Sequence, residues 1–159
     1  MLRRVFVHFA ALHFMHKNRS AACAAEQGVR LPQTQVSTMI YPVDFISLED
    51  DEKDIIVSFA IPDDDTGIKS LILHRTLFFE ELLPDEERGV RVSLEGEPDA
   101  GETLNMLESI EISDQHIKIN AKCRSYVVDI SKIDGENISE LKALVEKQNY
   151  DHRFRIKKA

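Results

Sequence analysis

Tryptophan is absent from this sequence, tyrosine occurs three times, and cysteine only twice, as Cys23 and Cys123. Two thiols so far apart build no disulfide framework, and without histidine help they are too few for a zinc site. No apolar run approaches the roughly 20 residues that a membrane-crossing helix needs. Catalytic signatures are missing as well. There is no Gly-x-Ser-x-Gly elbow and no glycine-rich phosphate loop. His74 closes an apolar run beside Arg75 with no nucleophile signature near it. His8, His13 and His16 come without a second set of ligands, and Asp129 falls on the outward side of a strand. On these grounds no catalytic residue, metal-ligand set or cofactor is assigned, and the expectation is a protein that is not an enzyme.

What the chain has in quantity is negative charge, unevenly placed. Residues 1–38 hold five basic residues against one acid, a net +4, and the last eight residues add another +4. The stretch between them, residues 39–151, carries 27 acids against 11 bases, a net −16 within a formal total of −8. A body so acidic repels phosphate, which argues against a nucleic-acid partner and for a basic protein one. The acids cluster in "LEDDEKD" at 48–54, Asp63-Asp64-Asp65, "EELLPDEE" at 80–87 and "EGEPD" at 95–99, all in or beside expected connections. The aspartate triplet is not a calcium loop. Counted from Asp63, glycine and glutamate do not fall at the sixth and twelfth positions, and strands rather than helices flank the stretch. It reads as a polar hairpin tip with Thr66-Gly67 in the turn.

Residues 1–38 read as a leader and linker, with a single domain over 39–159. A non-native leader, with Met39 opening the domain, is one reading. An export signal over residues 1–24 is another, with Arg3 and Arg4 ahead of an apolar stretch and Ala22-Cys23-Ala24 as a small-x-small site. An ordered helix is the third. The placement expected is cytoplasmic, or exported if the signal operates.

Past Asp44 the hydrophobic period is mostly two. Strands are expected at 45–48, 55–61, 68–75, 89–95 and 124–130, with a hairpin bending at Asp114-Gln115. The strand at 68–75 carries apolar residues on both faces, as a central strand does. One helix stands out in "NISELKALVEKQ", where Ile138, Leu141, Leu144 and Val145 recur at helical spacing. Asn137 is its expected N-cap, with Glu140 completing a capping box after the break at Gly135. "TLFFEELLPDEERG" is either a helical turn packing Leu77, Phe78 and Leu82 or an extended edge, ended by Pro84. The fold class expected is α+β: an antiparallel, mostly meandering sheet with the one C-terminal helix packed on a face.

The succession "LILHR", an acidic connection, "GVRVSLEGE", the hairpin "IEISDQHIKINA", "YVVDI" and the helix ending "ELKALVEK" resembles the tenth family of immunity proteins from bacterial polymorphic-toxin systems, over about residues 55–148. The leader and the tail "HRFRIKK" lie outside it. The resemblance implies an α+β binding protein that neutralises a toxin made by the same cell, with no catalytic residues. The partner would be a basic toxin, such as a nuclease domain, with no nucleic acid and no membrane involved. Candidate contact residues are Asp63, Asp64, Asp65, Phe78, Phe79, Glu80, Glu81, Glu86 and Glu87, since binding surfaces combine an apolar anchor with a polar rim. The competing reading is a small acidic interaction or structural domain, possibly exported.

Overall fold

The computed structural model describes residues 39–98 and 104–158. The leader over 1–38, its export-signal reading and Cys23 therefore lie outside the described residues. The described chain is α+β, with nine strands and one helix. Its strands divide between two sheets rather than forming one. β2 (Phe45–Asp50), β3 (Asp54–Asp63), β4 (Gly67–Thr76) and β5 (Arg91–Leu94) form an antiparallel meander in that order. The second sheet has the order β1 (Ile40–Pro42), β8 (Ser125–Asp129), β7 (His116–Ala121), β6 (Leu107–Ile112) and β9 (Arg155–Lys158). Its two outer pairings, β1 with β8 and β6 with β9, are parallel.

The sheets are stitched along both sides. After β1 the chain bends across, with the Val43 amide donating to Asp129 O and the Asp44 amide to Ala60 O. On the other side Arg91 bridges Met106, and the Leu107 amide donates to Val90 O. The result is a partly closed barrel around one core. Period-two alternation fills it: Ile55, Val57, Phe59 and Ile61 from β3, Leu71 and Leu73 from β4, Val92 and Leu94 from β5, Ile117 and Ile119 from β7, and Tyr126 and Val128 from β8 are all buried. β4 is central, as expected, but one of its faces is buried and the other only half-covered, with Ile68 exposed.

α1 (Gly135–Gln148) buries Leu141, Leu144, Val145 and Gln148. Its N-cap is Asp134, not Asn137: the Asp134 carboxylate accepts from the Asn137 amide at 2.9 Å, and Gly135 is the first helical residue. An aspartate three positions before an available amide captures the helix start one turn earlier than the Asn137 pattern. At the far end the Gln148 side-chain Nε2 donates to Ile55 O and Leu73 O, fastening the helix to β3 and β4. His152 then takes a left-handed conformation, φ 58°, which turns the chain back into β9. The tail, which lies outside the resemblance over 55–148, thus supplies an edge strand of the second sheet.

Candidate partner-binding site

β4 ends at Thr76, and the chain that follows is held down at its start. The amides of Leu77 and Phe78 both donate to Lys53 O, at 2.6 and 3.2 Å. Two single turns of 3-10 helix follow, Glu80–Leu82 and Asp85–Glu87, with Pro84 between them. Neither expected form of the segment is what appears. Leu77 alone packs on the core. Phe78, Phe79 and Leu82 are 65, 53 and 80% exposed, and the two rings meet edge to face with centroids 4.8 Å apart. A turn this short has room for one inward side chain, Glu80, and leaves its apolar residues outside. Glu81, Asp85 and Glu86 are exposed around them and Glu87 is half-buried.

Glu80 behaves differently from the other carboxylates expected at a contact surface. It is 5% exposed and faces inward onto Arg75, which is fully buried. The guanidinium donates to Glu80 at 2.7 and 3.2 Å and to the Asp151 carboxylate at 2.7 and 2.8 Å, and also reaches Gln148 O. Glu80 further accepts from the Gly89 amide at 2.9 Å and from the Tyr150 hydroxyl. The Tyr150 ring lies over Arg75, 4.0 Å from the guanidinium carbon to the ring centroid, and is itself 57% exposed. Arg153 extends the cluster to Asp151 and Asp85, at 2.8 and 2.6 Å. Burial opposes the charge on Arg75, but hydrogen bonds from Asp151 and Glu80 outweigh it and raise its pKa. Those same bonds, from Arg75 first, hold Asp151 down at about 2. Glu80 is therefore an anchor of the segment and its carboxylate is not available at a rim.

Arg75, Tyr150, Asp151 and Arg153 were not singled out from the sequence. One signal was there. Arg75 continues the inward positions Leu71 and Leu73, so strand alternation alone places a charge in the core, where it demands carboxylate partners.

The four acidic connections gather at two places, not one. The β3–β4 hairpin pairs Asp54 with Thr76 at one end and Asp63 with Gly67 at the other. Nine residue steps at about 3.3 Å each put those ends roughly 30 Å apart. The 51–54 turn lies against residues 77–78, through Lys53 O. The Asp63 loop shares its end with Glu95, whose carboxylate accepts from the Ser70 amide at 3.1 Å. Asp63 itself is committed locally, taking Lys69 Nζ at 2.6 Å and the Thr66 amide and hydroxyl at 3.1 and 2.8 Å. These bonds, Lys69 first, lower its pKa to about 2. Gly67, with φ +83°, supplies the left-handed turn residue. Asp64 and Asp65 remain exposed.

Compared with family models, curated proteins and solved structures, the chain matches none of them. Its site is therefore read from its own geometry.

Two other positions singled out from the sequence remain, His74 and Asp129. His74 does have a carboxylate, Asp54, at 2.8 Å, but both side chains stand at the surface of the sheet. Asp129 is capped by the Ser131 hydroxyl and amide, which lower its pKa and make it a poor proton donor near neutrality. Among the described residues no three His, Cys, Asp or Glu side chains are placed to share a metal ion, and no helix is long and apolar enough to cross a membrane.

Proposed function

We propose that this chain is a non-enzymatic immunity protein, which binds a basic toxin made by the same cell and blocks it stoichiometrically. The observation that carries the binding reading is the exposed trio Phe78, Phe79 and Leu82 on a segment fastened from beneath by Arg75 and Glu80. Three large apolar side chains left in water on an anchored turn serve a contact better than they serve the monomer. Glu81, Asp85 and Glu86 around them favour a positively charged counterpart and speed its approach. The resemblance over residues 55–148 supports a toxin as that counterpart.

The test uses the product of the neighbouring reading frame, expressed with its activity abolished, in stopped-flow mixing at two salt concentrations. The triple change Glu81→Gln, Glu86→Gln, Glu87→Gln should slow association several-fold and flatten its salt dependence. Changing Asp63, Asp64 and Asp65 to Asn should do little, because that loop lies several screening lengths of about 8–10 Å from the trio. Equal effects of both sets would refute docking through residues 78–87. Failure of the unaltered chain to bind or to protect cells from the active toxin would refute the immunity role.

A further inference from the structure

We propose that the docking surface is composite: Tyr150, from the turn after α1, joins Phe78, Phe79 and Leu82 as an apolar anchor, and together they enter an apolar recess rimmed by lysine or arginine on a protein partner. This rests on the binding reading above and specifies its surface.

Tyr150 lies some 70 positions along the chain from the trio, yet its hydroxyl reaches the carboxylate of Glu80, the residue next to Phe79. One side of its ring is taken by the Arg75 guanidinium at 4.0 Å, and 57% of the residue remains in water. A tyrosine held at both ring and hydroxyl has little rotamer freedom left to lose on binding. Pre-ordered aromatic side chains of this kind make inexpensive, specific anchors. The rings of Phe78 and Phe79 are likewise mutually braced. Arg75, Glu80 and Asp151 are positioning residues in this scheme. They hold the turn after β4 and the turn after α1 side by side; Arg75 and Glu80 are buried beneath the surface and do not meet the partner.

Charge selects the partner. Arg153 is engaged with Asp85 and Asp151, Arg88 with the carbonyls of Leu83 and Glu81, and Lys147 with Asp50, while the exposed Lys53 sits within the acidic run 49–54. Glu52, Glu81 and Glu86 remain exposed. A second copy of this chain would bring the same negative collar against itself, which disfavours self-association and leaves a basic rim as the complement.

Titration of the inactive toxin candidate by calorimetry tests the surface. Tyr150→Ala and Phe79→Ala should each weaken binding by about tenfold or more, as truncation of aromatic anchors does. Tyr150→Phe, which keeps the ring, should stay within about threefold, and the Asp63/Asp64/Asp65→Asn triple within about twofold. Loss with Phe79→Ala but not with Tyr150→Ala would overturn the composite surface and leave the binding reading standing. So would a Tyr150→Phe defect as large as that of Tyr150→Ala, because the hydroxyl clamp and not the ring would then be what matters. No binding by the unaltered chain would overturn both.

Discussion

Replacing Arg75 by methionine should destabilise the domain by about 3 kcal/mol, because it would abandon the carboxylates that the guanidinium holds. Removing one member of a buried ion pair typically costs about 3–5 kcal/mol, because the partner is left charged and dry. Glu80 is the group at risk, at 5% exposure. It would keep the Gly89 amide and the Tyr150 hydroxyl, and Asp151, 28% exposed at its side chain, would keep Arg153. These remaining donors place the cost at the lower end of the range. Urea denaturation followed by circular dichroism reads it directly. With a slope of about 2 kcal/mol per molar, the midpoint should fall by about 1.5 M. The double change Arg75→Met, Glu80→Gln removes the stranded charge while keeping a hydrogen-bonding side chain, and it should regain about 1–2 kcal/mol. A cost for Arg75→Met under about 1 kcal/mol would mean that the guanidinium is hydrated in solution. A double variant whose loss equals the sum of the single losses would mean that Arg75 and Glu80 are not coupled. Either result would refute the anchoring role given to Glu80.

Four further outcomes are expected. Asp151 has a folded pKa of about 2 against an ordinary 3.8, so its contribution should be complete above about pH 4 and vanish as pH falls through about 2; the stability gap between the unaltered chain and Asp151→Asn should close over that window in acid titrations. Asp134→Ala should cost about 1 kcal/mol and Asn137→Ala much less, measured by thermal unfolding, because the aspartate is the cap that the α1 start uses. Leu141→Ala, at a fully buried position, should cost about 3 kcal/mol in urea, and a value under about 1 would place that helix face in water. Gly67→Ala meets no neighbouring atom but must hold φ at +83°, so it should lose about 1 kcal/mol through backbone strain alone.

The strands of the barrel were legible because a half-buried strand writes its orientation into every second residue. Ile55 to Ile61 and Tyr126 to Ile130 show it most plainly, and each inward position expected there is buried. Alternation reports which way a side chain points, not which strand pairs with which, so neither the division into two sheets nor the parallel pairings of β1 and β9 could be read from it. Those two strands, three and four residues long, also fall below the length at which a period of two is distinguishable from chance. The helix was found from its apolar spacing, while its cap was misplaced by three positions because Asp134 and Asn137 are both competent caps and only the backbone decides between them.

The candidate site was the least legible part, and for a specific reason. In "TLFFEELLPDEERG" the apolar residues look like core, and the natural expectation is that Phe78 and Leu82 pack while every glutamate faces water. The structure exchanges Glu80 for Leu82: the carboxylate goes in and the leucine stays out. That inversion follows from Arg75. A guanidinium delivered into the interior by strand alternation must be met by carboxylates, and Glu80, five residues on, is within reach. Once Glu80 turns inward, a single tight turn has no second inward position for Leu82 or Phe78. The apolar surface proposed for binding is thus the geometric consequence of one buried charge. The prediction on Arg75 therefore probes more than stability. If the guanidinium holds the turn in this orientation, an Arg75→Met, Glu80→Leu variant should fold with residue 80 in the core and weaken toxin binding, although neither altered residue would touch the partner.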